Sequence, residues 1–190
     1  MGNKKDNKKD NKKSDSKVNV KWVLTIVTWS VIFSGSISLV SDVLLDNVNL
    51  LVAFIILIFI ILIGIIFDII GVAVTASNET PFHAKAANKV PGAKLAVTFI
   101  RNAEKVSSFC NDVIGDVCGI VSGSIGIIIG NKILSLNSTL NSTVVATIIG
   151  VTIGALTIGG KALGKGFAIT NSNDILEKVT RIIYFLKEDR

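Results

Sequence analysis

Charge is nearly absent from the longest apolar stretch of this chain. From Val48 to Ala76 the sequence reads VNLLVAFIILIFIILIGIIFDIIGVAVTA, with Asp68 as its single ionisable residue. Aromatic residues make up 6% and charged residues 18%, against 49% hydrophobic. That balance excludes an ordinary soluble domain and predicts one membrane domain. Histidine occurs once, at His83. Neither a zinc set nor a Ser–His–Asp arrangement can be assembled, so an enzyme is not expected. Cysteine occurs twice, at Cys110 and Cys118. In a predicted helix these stand about 12 Å apart, which excludes a disulfide between them. They read as small packing residues. No cleavage site of the A-x-A type follows the first apolar run, so that run is expected to stay as a span.

What the chain has in quantity is lysine at its start. Residues 1–21 hold eight Lys and three Asp, mostly in NKKDNKKDNKKSD. Such a segment cannot bury a core, and residues 1–20 are expected to be a disordered basic tail. Because the tail abuts a hydrophobic span, its expected partner is the anionic lipid headgroup and not nucleic acid. An all-α, multi-pass membrane fold follows. Its four transmembrane helices are expected at about 22–40, 48–76, 106–130 and 144–160, within a domain covering 21–160. Trp22 suits a headgroup-level anchor. Segment 77–105 breaks at Pro91-Gly92 into two short juxtamembrane helices. Leu95, Phe99, Ile100 and Ala103 give the second an apolar stripe suited to the membrane interface. Residues 161–190 form a tail ending in an amphipathic helix, with Ser172, Asn173 or Asp174 as its cap.

Lysine and arginine also set the expected orientation. The first loop carries Asp42 and Asp46 and no basic residue, and the third carries only Lys132. The start, segment 77–105 and the tail are basic. Both termini are therefore expected on the cytoplasmic side of the plasma (inner) membrane.

The residues that could carry chemistry are acidic. A carboxylate inside a span costs about 2.5–3.5 kcal/mol on insertion scales, so Asp68 should face protein, water or an ion. The third span begins VSSFCNDVIGDVCG. At helical spacing Asp112 and Asp116 share a face, beside Asn111. Two such carboxylates repel unless a divalent cation, a proton or a Lys from another helix offsets them. Asp68, Asn111, Asp112 and Asp116, with Thr75 and backbone carbonyls, form a hard-oxygen inventory suited to Mg²⁺, and also to Na⁺, Ca²⁺ or protons. Glycine recurs at four-residue steps: Gly115, Gly119 and Gly123 on the third span, Gly150 and Gly154 on the fourth. This predicts close packing of those two spans. Gly64 and Gly71 flank Asp68, so a helix can pack beside that carboxylate.

From about Leu62 onward, over about 125 residues, the order of features resembles the transmembrane domain of the CorB/CorC and cyclin-M family of magnesium and cobalt transporters. FDIIGVAVTASNE stands where that family has a first span ending in small polar residues. RNAEKVSSFCNDVIGDVCG is similar to its N-P-E-R-like and G-N-N-like region, without the proline. IGGKALGKGFAITNSNDILEKVTRII is similar to its G-E-x-x-P-K region at the cytoplasmic end of the last span. There Gly160, Lys161, Gly164 and Lys165 stand, with Lys161 in the acidic place, Gly164 in that of the proline, and Lys165 in agreement. The resemblance implies a homodimeric membrane protein that binds or transports Mg²⁺ or Co²⁺ through Asp68, Asn111, Asp112 and Asp116. It covers no paired CBS domains, and an extra span precedes it. The other expectation, from Lys161 above all, is a non-transporting membrane scaffold or accessory subunit whose polar residues serve helix packing.

Overall fold

The computed structural model describes residues 20–45, 48–137 and 139–188. The Lys-rich tail, Asp46 and the side chain of Trp22 lie outside the described residues. So do the headgroup contact and the anchor expected of them. The described chain is all-helical. Among its residues three helices are long and apolar enough to cross a membrane: α2 (Leu50–Ala76), a continuous rod (Ala103–Leu136) and α7 (Ser142–Thr170). At 27 residues, α2 is about 40 Å long. The rod comprises α5 (Ala103–Ser108), a π-helical turn (Phe109–Gly115) and α6 (Asp116–Leu136). Ahead of them α1 (Val20–Leu45) is a helix of 26 residues, with an apolar stretch at Leu24–Ser36 among the described residues.

Two apolar cores form along α2. In the first, Ala53, Leu57 and Ile61 of α2 pack on Val117, Val121, Ile125 and Ile129 of α6. Their spacing of about one turn puts each set on a single helix face. In the second, Val74 at the end of α2 meets Phe82 of α3 (Glu79–Ala87), Ala96 and Val97 of α4 (Ala93–Arg101) and Leu176 of α8 (Ser172–Glu188). The face of α4 made by Ala93, Ala96 and Val97 is thus covered by protein. Of the stripe expected at the membrane interface, Phe99, Ile100 and Ala103 pack half-buried against the same core. Asp68 falls between the two cores.

Local signals explain the junctions. Asn78 accepts a hydrogen bond from Thr80 N and starts α3. Lys89, at φ 56°, closes α3 with bonds from Lys89 N to Ala86 O and from Val90 N to Lys85 O. Val90-Pro91-Gly92-Ala93 is a type II turn, with Gly92 at φ 82° and Ala93 N donating to Val90 O. Asn141 accepts from Thr143 N and caps α7. Ser172 belongs to α8 itself and donates to Ala76 O, and Asn173 Oδ1 accepts from Asn78 N. Both tie α8 to the α2–α3 junction, where a cap for α8 was expected of them.

The last span is longer than expected. Instead of ending at Gly160, α7 continues to Thr170, which places Lys161 inside a helix and not at its end. The reason is packing. A Cβ on Gly160 would stand 2.2 Å from Ile65 Cδ1, and one on Gly164 2.8 Å from Ile69 Cγ1. Two isoleucines of α2 thus fill the notches these glycines leave, and the contact overrides glycine's low helix propensity. The close packing expected between the last two spans is corrected in the same way. Gly119, Gly123, Gly150 and Gly154 meet nothing within 4 Å. They line an open groove of about 870 Å³ between α6 and α7. Of the described glycines on those two helices, Gly126 is the one that touches the other helix closely, through Ile153 and Ile149.

Ion pairs join α3, α4 and α8. Arg101 Nε donates to Glu79 Oε1 at 2.6 Å, Lys85 donates to Glu177, and Arg181 donates to Glu177 Oε1 at 2.9 Å. The hydrogen bond from Lys85, with help from Arg181, holds Glu177 below its ordinary value of 4.5. Arg101, then His83, does the same for Glu79. A carboxylate held low in the folded state stabilises above its unfolded value and loses that contribution as pH falls. Acidification below about 4.5 is therefore expected to loosen α8. Glu177→Gln should remove most of this acid sensitivity, a change of no more than about 1 kcal/mol for so exposed a pair. Hydrogen exchange in α8, corrected for the intrinsic rate, measures it.

Candidate functional site

Asp68 is 4% exposed. Its Oδ1 lies 3.9 Å from Lys161 Nζ of α7, and its Oδ2 is buried without a hydrogen-bond partner. The same ammonium lies 3.9 Å from Oδ1 of Asp116, whose side chain is 68% exposed. One cation thus gathers carboxylates from two spans. A unit pair at this distance attracts with about 4 kcal/mol at an effective dielectric constant of about 20, and desolvation offsets much of that. Both distances exceed hydrogen-bond reach.

Asn111 supplies a second stranded oxygen. Its Nδ2 donates to Ser107 Oγ at 3.3 Å, while its Oδ1 is buried and unpartnered. That oxygen rests against the backbone of Gly71, where a Cβ would stand 2.1 Å from it. Gly71 lies one turn beyond Asp68 on α2. One turn before Asp68, a Cβ on Gly64 would meet Cys118 Cβ at 3.0 Å. Glycine on either side of the aspartate therefore lets the rod approach α2 closely. Gly115 does the same for Lys161, whose Nζ stands 3.4 Å from where a Cβ would be.

The π-helical turn decides which polar residues face inward. It pairs residues five apart instead of four. Asn111 and Asp116, five apart, both turn toward the α2–α7 side, while Asp112 is exposed and outside the contacts with Lys161. The face shared by Asp112 and Asp116 in a regular α-helix is thus replaced, and Asp112 leaves the expected ligand set. Thr75 leaves it too, being exposed and donating to Val72 O. Lys165 is exposed on α7.

Three contributors were not foreseen in these roles. Lys161 was assigned to a helix end. Thr157 Oγ1 is buried without a partner one turn before Lys161, and Ser107 anchors Asn111 from one turn before it. The signal in both cases was a hydroxyl four residues ahead of a functional side chain. Among the described residues no cluster of three or more His, Cys, Asp or Glu is arranged to hold a metal. What Lys161 stands between is two carboxylates, with the unpartnered Asn111 Oδ1 against Gly71, one turn beyond Asp68 on α2, and Thr157 one turn before Lys161 on α7. Neither protein-family models, nor curated proteins, nor solved structures match this chain.

Proposed function

We propose that this chain is a multi-pass membrane protein that binds divalent cations of the Mg²⁺ class and carries them across its membrane. The observation that carries the reading is the pair of buried acceptors without donors, Asp68 Oδ2 and Asn111 Oδ1, contributed by two spans, with Asn111 Oδ1 against Gly71 one turn along α2 from Asp68. Buried polar atoms are almost always partnered, and a cation is the partner that oxygens alone would suit. In this reading α1 is a fourth span. Both termini face the cytoplasm of the plasma (inner) membrane, because α3, α4 and α8, which bring Lys85, Lys94, Arg101, Lys178, Arg181 and Lys187, pack together at one end of α2, while Lys132 lies toward the other and donates to Val48 O. The test is Mg²⁺ titration of the purified protein. Wild type should gain thermal stability, by about 2.7 kcal/mol at a hundredfold excess over Kd. Asp68→Asn should lose that gain, and Mg²⁺ flux in liposomes with it. An unchanged Mg²⁺ response in Asp68→Asn removes the central ligand and the proposal.

A second reading, a non-transporting scaffold or accessory subunit, is favoured by Lys161. Its ammonium stands between Asp68 and Asp116, so the carboxylates are already offset by a residue of α7. Intact protein co-purifying with a stoichiometric partner, without Mg²⁺ flux, supports it.

A further inference from the structure

We propose that Lys161 is a tethered counter-cation, which a divalent metal ion displaces from between Asp68 and Asp116. This rests on the cation-binding reading above. It turns the observation that favours a scaffold into a property of the ion site.

The contacts of the ammonium are those of a placeholder. Nζ is 3.9 Å from each carboxylate oxygen, outside hydrogen-bond distance, and among the described residues it donates no hydrogen bond. Its three N–H groups are unspent on protein, and Asp68 Oδ2 stays unpartnered beside it. A permanent buried ion pair recovers its desolvation cost only when its remaining donors and acceptors are also satisfied. Here they are not, on either side of the pair.

Charge selects the replacement. Asp68, Asp116 and Lys161 together carry one net negative charge. With the ammonium withdrawn, the two carboxylates carry two. A divalent cation neutralises them, while a monovalent one restores only what Lys161 already supplies. Carboxylate and amide oxygens favour a hard ion. The class is therefore a hard divalent cation in preference to Na⁺ or K⁺.

Lys161 has a way out of the site. The side chain of Lys161 is 22% exposed, on an unbranched stem beside the largely exposed Asp116. Gly115 lies under the ammonium, and Gly119, one turn on, has nothing within 4 Å. The ammonium can leave Asp68 toward the open side of Asp116.

The inference predicts that removing the ammonium tightens cation binding. Mg²⁺ is titrated into wild type, Lys161→Gln and Asp68→Asn in neutral-lipid nanodiscs, with Na⁺ at matched ionic strength as the comparison. Lys161→Gln should bind Mg²⁺ at least about tenfold more tightly than wild type and respond little to Na⁺. In parallel, wild type is labelled with an amine-reactive reagent and Lys161 is read by mass spectrometry. Mg²⁺ should raise labelling of Lys161 severalfold and leave that of the exposed Lys165 unchanged. This second readout needs no variant to fold. Mg²⁺ binding that Asp68→Asn abolishes, but that Lys161→Gln leaves unchanged or weaker, overturns the counter-cation and leaves the cation site standing. So does Mg²⁺-insensitive labelling of Lys161 in a wild type that binds. Absence of Mg²⁺ binding in wild type and Lys161→Gln alike overturns the cation site itself.

Discussion

Gly92→Ala is expected to detach α8 from the α3–α4 hairpin while the spans stay folded. Two independent effects meet at this position. Gly92 sits at φ 82°, in the left-handed region, where an L-residue with a Cβ costs about 1–2 kcal/mol. An added Cβ would also stand 2.8 Å from the carbonyl carbon and oxygen of Thr180 and from the backbone nitrogen of Arg181. Those are backbone atoms in the middle of α8 and cannot rotate away as a side-chain tip would. The hairpin or the helix has to move as a body, which opens the core around Phe82, Val97 and Leu176. A total of about 3–5 kcal/mol is expected, at the upper end for single substitutions. Limited proteolysis should cut α8 early, and hydrogen exchange should rise in α4 and α8 but not in α2 or α6. Unchanged protection of α8 would show that the contact at Gly92 does not hold it.

The second large effect is expected on α7. Gly160 and Gly164 receive Ile65 and Ile69, and Lys161 lies on the same stretch of helix. Gly160→Ala should be accommodated in part, because the atom it strikes at 2.2 Å, Ile65 Cδ1, is a flexible tip. Gly164→Ala strikes Ile69 Cγ1 at 2.8 Å, nearer the stem, with Cδ1 at 3.1 Å. Together they should lift α7 from α2 and cost about 2–5 kcal/mol, since overpacking costs about 1–3 kcal/mol per site. The stability loss should be accompanied by tighter Mg²⁺ binding, because lifting α7 withdraws the Lys161 ammonium from Asp68 and Asp116, while the oxygens stay on α2 and the rod. Trimming the opposing side chains, with Ile65→Val and Ile69→Ala in the same chain, should return both stability and affinity much of the way to wild type. Thermal melting in detergent and Mg²⁺ titration of the four-site variant check this. Failure of the trimmed chain to recover would place the damage in the helix itself and not in the notch.

The spans were legible because a long uncharged run allows little else, and the break at Pro91-Gly92 was legible because both residues have special backbone needs. The length of α7 was not. Glycine at 159 and 160 reads locally as an ending, and only the isoleucines of α2, some ninety residues away in sequence, make it a packing surface. The glycine steps on α6 and α7 were misassigned for a related reason. A four-residue period says that a helix face is flat, but not which neighbour comes to it. Gly64, Gly71, Gly160 and Gly164 are met closely from across a helix pair, while Gly119, Gly123, Gly150 and Gly154 face open space. At the site, Asp68 was conspicuous as the lone charge in its run. The need for a cationic offset was visible in the pair on the next span, and Lys from another helix was one of the offsets it allowed. That the lysine would be Lys161 was hidden by the misplaced helix end. Asp112 was misplaced because periodicity assumes a regular α-helix, and a π-helical turn has no comparable signature in one sequence.

That turn gives the rod slack at one place along its length. Losing one residue between 109 and 115 would let ordinary α-helical winding run unbroken from α5 into α6, and because the wide turn already takes up one surplus residue, the helix on either side would keep its phase. Val117, Val121, Ile125 and Ile129 would stay on α2, and Asp116 beside Lys161. The same loss within α6 would swing everything beyond it by about 100°, so this stretch can shorten where its neighbours cannot.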